Sequence, residues 1–281
     1  MYICGGILQQ KVTNNQYSMI SNRENLSTEE VEFLKLLDDR ELLVFDFRLI
    51  KSSFDLSAAV VQDMLTRLVK KELIFSIEKS KYCVRNFRNS YVISNTLLKS
   101  SAVAYWSALN LHGLTEQIPN TIFSQSSFRK EDKTVFGVRY KFVKVKPEKL
   151  CGHTKMGFGN ESFLVTDVEK TILDCFDLPE YSGGYEELIR ALYNAKLEPL
   201  KLLNYGKQMG NISVLKRIAF LAELFEMKNF DVFQSEILKI VNRKYSLLDP
   251  AGGNNGEFNS KWRIRINISE SDLLSMINKI Y

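Results

Sequence analysis

The chain has 281 residues and a mass of 32.4 kDa, a length that suggests two domains at roughly 150 residues each. Its 45% hydrophobic and 25% charged composition excludes a disordered, collagen-like or coiled-coil protein. The longest stretch without Asp, Glu, Lys or Arg, Ser100 to Thr115, falls short of the ~20 apolar residues of a membrane span. No basic region precedes the apolar start MYICGGIL, so no signal peptide is expected. Cys4, Cys83, Cys151 and Cys175 are scattered and form no CxxC pair, which fits a reducing cytoplasm rather than a disulfide scaffold.

The net charge of +5 says less than its distribution. From Arg23 to Asp46 there are three basic and eight acidic residues, net −5. From Arg48 to Arg88 there are nine basic and four acidic, net +5, and from Arg129 to Lys155 nine and three, net +6. A phosphate backbone responds to clustered positive charge, so the second and third stretches point toward nucleic acid. A merely solvated face is the competing reading of either run.

In chain order the first ninety residues read as three helices and a hairpin. Ser27-Thr-Glu-Glu30 is a capping box that opens a helix whose exterior should be acidic, with Val31/Leu34 and Phe33/Leu37 at helical spacing. A second helical segment covers about Phe45 to Ser53, with Asp46 near its start and Arg48 and Lys51 exposed. After Phe54-Asp55-Leu56, Ser57 can cap a third helix to about Lys71. Its apolar stripe is Val61, Met64, Leu65 and Leu68, and its other face carries Ala59, Gln62, Asp63, Thr66, Arg67 and Lys70. Two apolar strands, 73–77 and 82–84, flank the basic turn Glu78-Lys79-Ser80-Lys81.

That order is the order of a winged helix-turn-helix over residues 1–90. Such a third helix enters the major groove of double-stranded DNA. Ser57, Gln62, Thr66 and Arg67 are the candidates for base contact, with Gln62 suited to adenine and Arg67 to guanine or phosphate. Lys79 and Lys81 on the wing, and Arg85 and Arg88 behind it, are candidates for phosphate or the minor groove, and Lys70 and Ser80 are further DNA-binding candidates. Asp63 should orient Arg67 or stay in solvent. Winged helices also serve as protein-binding modules, and the sequence leaves that alternative open.

Residues 91–281 read as a larger mixed α/β domain, with 197–281 a possible helical/β subdomain, giving an α+β fold class overall. Tyr91 to Thr96 is strand-like, and Ser101 to Leu111 reads as a buried helix. Thr121 to Ser126 and Thr134 to Val145 read as strands. In the latter the basic positions Arg139 and Lys141 slip in parity to Lys144 and Lys146, which predicts a bulge near Val143. Arg129, Lys130, Arg139 and Lys141 are the candidate phosphate contacts of this domain. Helices are expected at Val168–Phe176, Glu186–Ala195, Val214–Leu224, Val232–Val241 and Glu270–Ile280, and a strand at Trp262–Ile266. Arg263 and Arg265 lie on one face of that strand, as its wet side or as part of a binding surface.

Catalytic readings are weaker. Asp167-Val-Glu169-Lys170 lacks the acidic-x-Lys spacing of a metal-dependent nuclease, and reads better as a helix start with Asp167 as its cap. Cys151-Gly-His153 has no second ligand pair beyond His112, which reads as a hydrogen-bonded core histidine, so neither metal nor cofactor is expected. Cys175 reads as a buried, inert thiol. Gly157-Phe-Gly159 is a lone Gly-x-Gly without a strand-then-helix setting.

Three ordered segments resemble the AbiEi family, antitoxins of a bacterial and archaeal abortive-infection system. They are Ala104-Tyr-Trp-Ser-Ala-Leu-Asn-Leu-His112-Gly113-Leu-Thr-Glu-Gln117; Thr166-Asp-Val-Glu-Lys170-Thr-Ile-Leu-Asp174-Cys175 followed by Leu178-Pro-Glu-Tyr181-Ser-Gly-Gly184; and Leu248-Asp-Pro250, Gly256 and Trp262-Arg-Ile-Arg-Ile-Asn267. With a winged helix in front they span nearly the whole chain. The turn Lys79-Ser80-Lys81-Tyr82 departs from the family's Arg-Gly-x-Tyr wing but stays basic. The resemblance implies a non-enzymatic, DNA-binding antitoxin that represses its own operon at repeated or inverted operators, as a homodimer or by cooperation on DNA. It also implies a nucleotidyltransferase toxin, AbiEii, countered without a stable complex in the type IV arrangement. The alternatives are an antitoxin that captures its toxin directly, or a stand-alone transcriptional regulator.

Overall fold

The structure, a computed structural model, describes residues 26–54 and 56–278. The expectations that fall on the amino-terminal segment and Cys4, on Asp55 and on the last turn of the final helix lie outside the described residues. The chain is a mixed α/β protein of two compact units, divided between Phe87 and Arg88.

The first unit begins with α1 (Thr28–Asp39), and the capping box forms: the Ser27 hydroxyl accepts from the Glu30 amide, and the Glu30 carboxylate accepts from the Ser27 amide at 2.9 Å. Its exterior is acidic as expected, with Glu29, Glu32, Asp38 and Asp39 exposed, and Glu30 alone of its acids turns inward. Glu30, Phe33 and Leu37 face inward, whereas Val31 is exposed. A carboxylate sits on the core stripe because α3 supplies cations to it, as described below. A short strand, β1 (Val44–Asp46), takes the place of the first residues expected in the second helix, and Asp46 then caps α2 (Phe47–Ser53). Ser57 caps α3 (Ala58–Lys70), whose stripe Val61, Met64, Leu65 and Leu68 is fully buried. The strands β2 (Ile74–Glu78) and β3 (Lys81–Val84) complete an antiparallel sheet of order β1-β3-β2. Lys79 and Ser80 join them, Ser80 at a left-handed φ of 63°, and the register shifts between Ser76 and Glu78. Phe33, Phe45 and Tyr82 lock helix to sheet through ring contacts at 5.6 and 5.9 Å.

The second unit is built on a six-stranded mixed sheet of order β6-β7-β5-β4-β9-β8. Its strands are β4 (Ala102–Val103), β5 (Thr121–Ser126), β6 (Lys133–Val135), β7 (Val138–Lys144), β8 (His153–Met156) and β9 (Phe163–Thr166), with β5–β7 and β4–β9 parallel. The expected strand at Tyr91–Thr96 is instead a helix, α4 (Ser90–Leu97), started by Asn89, whose side chain accepts from two backbone amides. The expected helix at Ser101–Leu111 divides into β4 and α5 (Tyr105–Leu111), with Tyr105 at φ 56° where strand turns into helix. The pairing of β7 with β5 runs without a break from Arg139 to Lys144, so no bulge forms near Val143. The change of pattern has another cause. Arg139, Lys141 and Val143 share one face, which passes from solvent at one end to the main core at the other.

One hydrophobic cluster joins this sheet to α6 (Val168–Asp177), α7 (Tyr185–Asn194), α8 (Pro199–Met209), α9 (Ile212–Leu224) and α10 (Asp231–Ile240), and continues to Trp262, Ile264 and Leu273. The described residues from 197 to 278 therefore share the core of the preceding helices rather than forming a separate body. A small sheet of order β10-β12-β11 (Ser246–Leu247, Ile264–Ile266, Glu257–Asn259) and α11 (Glu270–Asn278) close the unit. No described helix is long and apolar enough to cross a membrane.

Candidate nucleic-acid interface

On α3 the buried stripe fixes what the opposite side presents. Gln62, Thr66 and Lys70 are all exposed and recur every fourth residue, so they form one row along the helix. The Thr66 hydroxyl donates to the Gln62 carbonyl at 2.8 Å, which uses its proton within the helix and leaves its lone pairs outward. Ser57 is exposed at the amino-terminal end, where its oxygen already accepts from the Val60 amide at 3.3 Å.

Arg67 is placed differently from the expectation of a base or phosphate contact. Its Nε donates to the buried Glu30 of α1 at 3.1 Å, and Nη1 is bound to Asp63 one turn earlier. Lys71 reaches the other Glu30 oxygen at 2.6 Å. Burial pushes the Glu30 carboxyl up, but hydrogen bonds from Lys71, the Ser27 amide and Arg67 outweigh that and hold it below the ordinary glutamate value. The hydrogen bond to Glu30 in turn raises the Arg67 guanidinium. Arg67 therefore fastens α3 to α1, apart from the exposed row of Gln62, Thr66 and Lys70.

At the hairpin Lys79 and Ser80 are exposed at the tip. Lys81, expected to grip phosphate, is half-buried and pairs with Glu78 at 2.8 Å, because the strand register sets the two residues opposite each other. Arg85 is exposed just beyond β3.

In the second unit the basic run is partly consumed by its own surroundings. Arg129 is exposed in the loop after β5. Arg139 pairs with Asp132 at 2.7 Å, and the Lys130 ammonium lies 5.7 Å from the Phe142 ring. Lys141 is half-buried, 5.4 Å from the Tyr181 ring, because its face of β7 turns toward the main core. It is not the outward cation that alternation predicts.

The Asp167–Asp174 segment is a structural joint. Asp167 caps α6 by accepting from the Lys170 amide at 2.9 Å. Lys201 on α8 bridges Asp167 and Glu169 at 3.2 and 2.8 Å, and the Tyr205 hydroxyl donates to Asp167 at 3.0 Å. Lys170 is fully buried and ion-paired with Asp174, with the Gln125 amide oxygen 3.5 Å from its ammonium. A lysine committed in this way is not the exposed, converging group that phosphodiester chemistry needs. Sequence reading missed the pair, although Lys170 and Asp174 stand four apart on a helix, the spacing at which such pairs meet. His112 is half-buried with Nε2 2.7 Å from the Thr166 carbonyl oxygen, and no group of three or more possible metal ligands occurs among the described residues.

The first two motif segments meet in this unit, and the third closes on itself. Besides His112 with Thr166, the ring of Tyr105 meets that of Tyr181 at 5.5 Å, and Gly183, at φ 83°, lies against the Trp106 indole. Asn267 accepts from the Asp249 amide at 2.9 Å and donates back to its carbonyl.

No family model matches the chain, and no curated protein matches it. Among solved structures it is similar to the crystal structure of the RV2827C protein from Mycobacterium tuberculosis, with a TM-score of 0.61, 12% identity, and coverage of 91% of this chain and 96% of that chain. At that identity the likeness is one of fold.

Proposed function

We propose that the chain is a DNA-binding antitoxin and autorepressor whose first unit is a winged helix-turn-helix. One observation carries the DNA reading: Gln62, Thr66 and Lys70 form an exposed polar row on α3, directly behind a fully buried stripe. Gln62 can bond bidentately to adenine, Lys70 reaches a phosphate, and Lys79 and Ser80 at the hairpin tip reach a second stretch of backbone. The order of helices and sheet supports the winged-helix reading. The antitoxin role rests on the resemblance of the ordered motifs to AbiEi proteins. It carries with it a nucleotidyltransferase toxin countered without a stable complex, and operator repeats occupied by two copies.

A reporter driven by the chain's own upstream region tests the reading. Expression of the chain in trans should silence it, and Gln62→Ala with Lys79→Ala should restore it while leaving the protein folded. Full silencing by that double variant would exclude these residues as the operator contacts.

A further inference from the structure

The β10-β12-β11 sheet carries a surface that the repressor reading does not use. The register sets Phe258 and Arg265 on its outer face and Ile264 buried on the other, and the half-buried Tyr245 and Arg263, just outside the strands, join the outer face through their contacts with Phe258 and with each other. Phe258 stands directly opposite Arg265 in the register and remains 59% exposed. The four side chains form a continuous array. Arg263 lies 5.4 Å from the Tyr245 ring, Tyr245 meets Phe258 edge-on at 4.8 Å, and Arg265 lies 5.0 Å from the Phe258 ring. Both guanidinium groups are fixed: Arg263 donates to the Tyr245 hydroxyl at 3.1 Å, and Arg265 donates to the Asn254 side chain at 2.5 Å. Neither is paired with a carboxylate in these contacts. Arg263 also holds a left-handed φ of 53°, unusual for a residue with a side chain.

The charge around the array has one sign. Between Asn242 and Ile266 there are five basic and two acidic residues, net +3. Of the two acids, Glu257 alternates to the side opposite Phe258, and Asp249 accepts from the Ala251 amide. An exposed aromatic ring with one fixed guanidinium beside it and a second beyond the Tyr245 ring offers a stacking surface to a flat base and charge to its phosphates. A duplex hides its base faces within the stack, so the chemistry selects unpaired bases.

We propose that this sheet face binds single-stranded nucleic acid, with a base stacked on Phe258 and the phosphates held by Arg263 and Arg265. The proposal is independent of operator binding, which is placed on α3 and the hairpin.

The test is fluorescence anisotropy of the full chain with labelled ten-nucleotide oligo-dT and oligo-U, each competed by an unlabelled duplex that lacks the upstream sequence. Phe258→Ala should weaken single-strand binding about ten-fold, and Phe258→Trp should retain it. Arg265→Ala should weaken it and flatten its salt dependence. Gln62→Ala with Lys79→Ala should leave it unchanged, which separates this result from the fate of the repressor reading. Phe258-dependent binding of either the deoxyribo or the ribo strand supports the proposal, and the stronger of the two identifies the source. Unchanged affinity in Phe258→Ala, equal competition by duplex, or loss of binding only in the Gln62/Lys79 variant would overturn it. The exposure of Phe258 makes its substitution tolerable to the fold, and thermal melting of each variant checks this.

Discussion

Lys170→Met tests the buried ion pair at the centre of the second unit. Lys170 is fully buried and Asp174 almost so, and one oxygen of Asp174 has no hydrogen-bond partner. Removing the ammonium leaves a buried carboxylate with no cation bonded to it. Loss of one partner of a buried pair costs about 3–5 kcal/mol, and the absence of solvent at both groups places this case within that range. Converting both residues to apolar ones, Lys170→Met with Asp174→Leu, removes the stranded charge and should return stability to within about 1–2 kcal/mol of the parent. Urea unfolding followed by tryptophan fluorescence measures this locally, because both tryptophans, Trp106 and Trp262, lie in the second unit. A single variant within about 1 kcal/mol of the parent, or a double variant no better than the single one, would mean that the pair does not hold a stranded charge in the core.

Burial pushes the Asp174 carboxyl up to about 6, against the pull of Lys170. The folded state then holds a proton between about pH 4 and 6 that the unfolded state has released, so stability should fall as pH rises through that window and level off above it. Asp174→Asn should abolish that part of the slope in unfolding measured against pH. Glu30→Gln loosens the tie between α1 and α3. Its partners are partly exposed, so a loss of about 1–2 kcal/mol is expected in chemical denaturation, and an unchanged midpoint would contradict the clasp. Lys70→Ala should reduce the salt slope of duplex binding by about one, whereas Gln62→Ala should lower sequence discrimination and leave that slope intact. At Gly256, φ is 95° and an added Cβ would lie 1.8 Å from the Ile266 carbonyl oxygen, so Gly256→Ala should destabilise the β11–β12 pairing, seen as faster amide exchange there.

Much of the first unit was legible because its signals are local. The Ser27 box, the Asp46 and Ser57 caps and the stripe of α3 each follow from residues within two turns. Glu30 was not legible, because its burial depends on Arg67 and Lys71, 37 and 41 residues away. In the second unit Val92 and Ile93 suggested a strand, but the Asn89 cap and packing against β4, β5 and β9 favour the helix. The two-residue β4 was hidden in an apolar run, since its only signal is the left-handed Tyr105 that ends it. Helix α8 was overlooked although Pro199 opens it and Gly210, at φ 70°, closes it, the usual punctuation of a helix. For the candidate interface, helix phase located Gln62, Thr66 and Lys70. It did not show that Arg67 ties back to Glu30, and the basic pattern of the strands did not show that Lys81 pairs with Glu78 or that Lys141 is half-buried beside Tyr181.

The exposed row on α3 and the tip of the hairpin are the proposed contacts with duplex DNA. Titrating the full chain against its own upstream region, at salt concentrations from 50 to about 200 mM, tests them most directly. Saturable, sequence-selective binding is expected, weakening steeply with salt and lost in Gln62→Ala with Lys79→Ala. Binding indifferent to salt, or unaltered in that variant, would contradict them.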